Sequence, residues 1–174
     1  MKENLVWTKT VLTVYRYLER VSGAIDKIVL RSGLGSGNIY GQNYLYNNVL
    51  SISQKIIDLS DRKIALINLK VLTEDILKKL KSEDVKILLD RYVDGRKYKD
   101  ICLRNNISLR TVYRRLEASE IAFARFLNVR GFTSEKLFNM LKSEKWILSV
   151  YNHIKEKSED FSVSASFLAR AVSM

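Results

Sequence analysis

Between Tyr44 and Lys81 two apolar stripes run along one stretch of chain that holds no glycine and no proline. Leu45, Ile52, Leu59 and Leu66 recur every seven residues, and Leu50, Ile57, Ile64 and Val71 recur on the same period. Seven residues are close to two helical turns, so each set keeps to one side of a helix. A helix that is apolar on two sides has to bury both. At 1.5 Å per residue the stretch makes a rod of roughly 55 Å, longer than one small domain needs. One stripe is expected to pack on the preceding helix. The other is expected on a second subunit or on the C-terminal segment, which makes a homodimer through the N-terminal helices an expected partnership.

The preceding helix is read over Asn4–Leu30. Trp7, Val11, Val14, Leu18, Val21, Ile25 and Ile28 alternate spacings of three and four, as the seam of a coiled coil or one helix of a compact bundle does. Between the two helices lies RSGLGSGNIYGQN, residues 31–43, with four of the chain's seven glycines. A flexible connection between antiparallel helices accounts for them. A phosphate-cradling loop does not, because the Lys-Ser/Thr pair and the preceding apolar strand are missing.

The remaining composition narrows the class. In 174 residues with 47% apolar content there is enough to build a core, and the complete lack of proline favours an all-α protein. The single Cys102 excludes an intrachain disulfide and falls on the inward side of an expected helix, where a small core residue is the simpler reading than a nucleophile or ligand. No apolar run approaches the ~20 residues that cross a bilayer, and MKENLVWTKT lacks a signal-peptide core. A cytoplasmic protein without a membrane partner is expected.

Charge points to the partner. Arg96 to Arg115 holds seven Lys/Arg against one Asp, so +6 of the chain's net +11 sits in twenty residues. The same stretch reads as two short helices and a tight turn. Tyr98, Ile101 and Cys102 share the inward face of the first helix. Asn105-Asn106 breaks it, since Asn tolerates left-handed backbone. Ser108 then serves as N-cap of the second, with Ile107 and Val112 at the positions of a hydrophobic staple. Along that second helix Leu116, Ser119, Phe123, Phe126 and Leu127 take one side, and Arg110 and Arg114 the other.

SEDVKILLDRYVDGRKYKDICLRNNISLRTVYRRLEASEIAFARFL, residues 82–127, resembles region four of bacterial sigma factors, the helix-turn-helix that reads the −35 promoter element. The matching pattern is a leucine-rich helix ending in Arg91-Tyr92, then Gly95, Tyr98-x-Asp100-Ile101, Ile107-Ser108, Thr111-Val112 and Leu116. Two positions depart from it. Asn105 stands where the family carries an apolar residue and is expected to loosen packing, and Asn106 replaces the usual turn glycine. Residues 11–127 together are similar to small phage-borne regulators of late transcription, in which a helical hairpin with a Gly/Ser-rich loop leads into such a unit. The resemblance implies origin in a phage or mobile element, promoter DNA as target and RNA polymerase as protein partner.

Ser82 is expected to cap the helix that precedes this unit, with Glu83 and Asp84 in its first turn, where the helix dipole favours anions. Val85, Leu88, Leu89 and Tyr92 form its supporting face, and Asp94-Gly95 ends it. Past Gly131, Thr133 or Ser134 caps a short helix to Leu141. Ser143 caps another, whose Trp146, Ile147, Val150, Tyr151 and Ile154 share a face that must be covered by Ile121, by the second stripe of the long helix or by a polymerase subunit. His153 stands alone and is read as a surface residue. Residues 158–174 are rich in Ser and Ala and read as a frayed helix or tail.

Three segments are therefore expected: a coiled-coil-like hairpin over 1–80, a helix-turn-helix over 81–130, and a helical extension over 131–174. No catalytic constellation, metal cluster or cofactor motif is readable, so an enzyme is not expected. The expected function is sequence-specific regulation of transcription on double-stranded DNA. Arg110, Tyr113 and Arg114 are expected at base edges, with Lys97, Lys99, Arg104, Thr111 and Arg115 on phosphates. Three alternatives share some of these features: a small-terminase-like packaging protein, a divergent small sigma factor, and a coiled-coil interaction protein that binds no DNA.

Overall fold

The structure is a computed structural model that describes residues 2–34 and 42–172, with side chains over 3–32 and 49–158. Every element among these residues is helical: α1 (Lys2–Leu34), α2 (Gln42–Leu77), α3 (Ser82–Leu88) continued by a π-helical turn (Leu89–Val93), α4 (Tyr98–Asn105), α5 (Leu109–Val129), α6 (Ser134–Leu141) and α7 (Lys145–Val172). The all-α expectation is met. Most of the glycine-rich connection, residues 35–41, lies outside the described residues, as does the side-chain environment of Leu45. The backbone of the chain's end is helical through Val172. No described helix is long and apolar enough to cross a membrane.

Two compact units divide the chain, one formed by residues 1–15 and 73–174, the other by residues 16–72. In the 16–72 unit, Leu18 and Ile25 of α1 and Leu59, Leu66, Leu69 and Leu72 of α2 are buried. Lys70 Nζ meets Glu19 Oε2 at 3.0 Å and Lys63 Nζ meets Asp26 Oδ1 at 2.6 Å. Seven residues forward on one helix answer seven back on the other, which is the register of an antiparallel pair. The seam holds to Ile25, and Ile28 is exposed.

The other unit surrounds the first turns of α1. Val6, Trp7, Thr8, Thr10, Val11, Leu12 and Val14 are all buried, so this segment is covered on every side rather than along one stripe. The threonines are buried without cost in unpaired hydroxyls, since Thr8 Oγ1 donates to the Asn4 carbonyl at 2.9 Å and Thr10 Oγ1 to the Val6 carbonyl at 2.8 Å. Trp7 Nε1 donates to Ser134 Oγ at 2.9 Å, and its ring lies 4.4 Å from that of Tyr151. That contact gives the α7 face its cover, with Ile147 and Tyr151 buried. Asn4 donates to Asn128, and Arg130 pairs with Asp75, which adds α5 and α2 to the same assembly.

Helix starts follow local chemistry, with two shifts. Ser108 accepts from Thr111 N–H at 3.2 Å and Thr133 accepts from Lys136 N–H at 3.3 Å, as expected of N-caps. Ser82 is not a cap: Lys81 holds the cap position with extended backbone, and Ser82 is the first helical residue. Ser143 is not one either. α7 begins at Lys145, and the Glu144 carbonyl accepts from Ile147 and Leu148, while the buried Glu144 side chain takes the Trp146 indole N–H at 2.9 Å.

Candidate nucleic-acid interface

The charged segment folds as two helices about one turn. α4 ends at Asn105, and Asn106 after it adopts left-handed backbone with φ 50°. Ile107 N–H then reaches back to the Cys102 carbonyl at 3.1 Å, the six-to-one bond of a Schellman ending. Asn106 meets its φ without glycine because a short amide tolerates this region. Ile107 and Val112 flank the Ser108 cap, with Val112 fully buried and Ile107 half-buried. Ile101 is the buried residue of α4, and Cys102 is only half-buried. Along α5, Val112, Leu116, Ser119, Phe123, Ala124 and Leu127 face the core.

Below the turn sits a carboxylate that sequence reasoning passed over. Asp90, 3% exposed, lies in the π-helical turn. Its oxygens receive Arg104 Nη1 at 3.1 Å, Arg96 Nε at 3.4 Å and Asn105 Nδ2 at 3.2 Å, while its carbonyl accepts from Arg96 N–H at 2.9 Å. One buried charge is thus surrounded by donors from both ends of α4. The loosening expected at Asn105 does not occur, because its amide also donates to the Ile101 carbonyl at 3.0 Å. A signal was present in the sequence: an acid inside the apolar run Ile87-Leu88-Leu89 to Tyr92 cannot be buried without partners.

Glu120 does the same for α5. It accepts from the Tyr92 hydroxyl and pairs with Lys9 Nζ at 3.4 Å, joining the π-helical turn, α5 and α1. Burial, then the charge of Glu120 and the hydrogen bond to it, push the Tyr92 phenol far above its ordinary range.

These networks sort the cations. Arg104 is held by Asp90 and Asp94, and Arg115 Nη1 by Glu83 Oε2 at 2.6 Å. Thr111 shares its hydroxyl with Ser108 at 2.9 Å. These three residues, expected on phosphates, are therefore engaged inside the fold, and Arg96 with them. Lys97, Lys99, Arg110 and Arg114 are not. Among the described residues, Arg110, Arg114 and Lys99 are exposed with no acidic partner, and Lys97 is exposed at the cap position of α4. Tyr113 is about half exposed, and its ring lies 4.5 Å from that of Tyr98, itself 4.4 Å beneath the Arg91 guanidinium. Arg91 also donates to the Arg96 carbonyl at 3.1 Å, so the stack is anchored at its far end.

Arg110 and Arg114 stand one helical turn apart, with Tyr113 beside them, at the start of α5. Leu103 and Leu109, which the sequence reading did not single out, border the turn as exposed apolar residues. No group of His, Cys, Asp and Glu among the described residues is arranged to hold a metal ion. The chain finds no match among family profiles, curated proteins or solved structures.

Proposed function

We propose that α4, its turn and α5 form a helix-turn-helix that reads double-stranded DNA, and that the protein regulates transcription. One observation carries the reading. Of seven cations in the basic segment three are paired with acids, while Arg110, Arg114, Lys97 and Lys99 stand outward around a capped helix start with no acidic partner among the described residues. An unneutralised cluster of this kind has an anionic partner.

The division of labour follows from chemistry. Arg110 and Arg114 present guanidinium groups that match guanine O6 and N7 in the major groove. Tyr113, fixed by its stack on Tyr98, adds a positioned aromatic contact. Lys97 and Lys99 supply phosphate contacts that set register without reading sequence. Arg104, Thr111 and Arg115, each with a partner in the fold and each part exposed, add phosphate contacts beside them.

The resemblance to sigma region four makes promoter DNA the target and RNA polymerase the protein partner. The protein is read as a regulator and not an enzyme. The test is a pull-down of the full chain with bacterial RNA polymerase, with sequencing of co-purified DNA. Polymerase together with DNA sharing a promoter-proximal motif is the expected result. DNA without polymerase would replace the sigma-like reading by a free-standing repressor or packaging protein, and recovery of neither would overturn DNA recognition itself.

A further inference from the structure

The second stripe of α2 is uncovered. Leu50, Ile57, Ile64 and Val71 are 54%, 53%, 55% and 58% exposed, whereas Leu59 and Leu66 of the first stripe are buried. All four lie in the 16–72 unit, on the side of α2 turned away from its packed residues, since Leu59 and Leu66 sit about 160° around the helix from Ile57 and Ile64 at 100° per residue. Solvent alone gives no reason to keep large aliphatic residues at a strict seven-residue interval over three helical repeats.

We infer that this face is the seam of a parallel, in-register coiled coil between two copies of this chain. Three features of the face select that occupant. The first is the full pattern: Leu50, Ser53, Ile57, Ser60, Ile64, Ile67 and Val71 alternate spacings of three and four, as a and d positions do. Three of the four a positions are Ile or Val, the β-branched types that favour two parallel strands. The second is the polar d layer. Ser60 Oγ donates to the Ile56 carbonyl of its own helix at 2.8 Å, so its hydroxyl enters the seam already satisfied. Its small volume lets the helices approach closely.

The third is charge. In a parallel pair the residues flanking the seam meet as Val49 with Gln54, Ile56 with Asp61 and Lys63 with Asn68 of the second copy, and no like charges oppose. In an antiparallel pair centred on the same stripe Asp61 faces Asp61, whereas Lys63 is held by Asp26 of α1. The sequence therefore disfavours the antiparallel pairing of two α2 helices, although α2 pairs antiparallel with α1 on its other side. Resting on the DNA-binding reading, a two-fold dimer implies an inverted-repeat target with two half-sites.

The experiment uses the full chain. Sedimentation equilibrium over a wide concentration range is expected to give twice the 20.2 kDa chain mass. Ile57→Lys with Ile64→Lys should raise the dimer dissociation constant at least 100-fold with an unchanged helical circular dichroism spectrum, because both positions are solvent-facing in the monomer. Ser53→Leu, which fills a d position, should tighten the dimer. Orientation is read from Ile64→Cys in a Cys102→Ser background: a parallel pair places the two thiols at one layer and cross-links under mild oxidation. A monomer at all concentrations, or a Ser53→Leu variant that dimerises no better, would overturn the seam. A dimer that fails to cross-link would overturn its parallel orientation, and a larger closed ring would overturn the two-copy assembly. Binding of DNA by a strictly monomeric protein would sink this inference while leaving the DNA reading intact.

Discussion

At the scale of single residues, what separates the cations of the basic segment is whether an acid already holds them. Arg114 has no such partner among the described residues, so its loss breaks no ion pair of the fold. Arg114→Ala should weaken binding at the cognate site by about 1–3 kcal/mol and relax base preference, whereas Lys99→Ala should weaken all sequences alike and lower the salt slope by about 1. Titrations on matched and scrambled duplexes at several salt concentrations distinguish the two. Equal loss on every duplex for Arg114→Ala would remove it from base reading. Asp90 gives the opposite case. Asp90→Ala removes the shared acceptor of Arg96, Arg104 and Asn105 and leaves Asp94 as the acidic partner of the two part-exposed arginines, and should lower stability in urea unfolding by about 1–3 kcal/mol.

Individual elements were legible in the sequence to the extent that their signals are local. The Ser108 and Thr133 caps and the Asn106 turn depend on a few neighbouring side chains, and the structure has them where the residues indicate. Ser82 and Ser143 failed as caps because a neighbouring residue took the position, Lys81 through its extended backbone and Glu144 through its carbonyl. Asn106→Ala, which puts a Cβ without a compensating amide at φ 50°, should cost about 1 kcal/mol, and Asn106→Gly should cost none. Thermal unfolding of the two variants side by side checks this.

The π-helical turn is tested by pH. The Tyr92 phenol is held neutral in the fold by burial and by Glu120, so its folded pKa lies above the unfolded value. The unfolded chain therefore releases this proton first as pH rises. The stabilisation is complete below about pH 10, where an unfolded tyrosine ionises, and declines above it. Tyr92→Phe should cost about 1 kcal/mol at neutral pH and flatten the decline of stability above pH 10. Identical alkaline unfolding curves for the two proteins would mean that Tyr92 does not carry the effect.

Over the whole molecule the hardest feature to read was which parts share a core. The seam residues of α1 taken alone indicate a hairpin, yet Val6 and Leu12 lie off that seam and are apolar too. Together they announce a helix segment buried on all sides, and Trp7, with its Ser134 and Tyr151 contacts, shows where the cover comes from. Such contacts join residues more than 120 positions apart, so no local pattern could reveal the partner. Residues 81–130 are therefore expected to depend on the start of α1 and the end of α2 in order to fold. Glu120 would lose Lys9, Asn128 would lose Asn4 and Arg130 would lose Asp75. Expressed alone, the 81–130 fragment should show the narrow amide dispersion of an unfolded chain by NMR. In the full chain, Trp7→Ala should cost about 3–5 kcal/mol through the cavity it leaves, and should weaken DNA binding only through the fraction of molecules unfolded. A dispersed spectrum from the isolated fragment would instead make the start of α1 an accessory to an already complete reading unit.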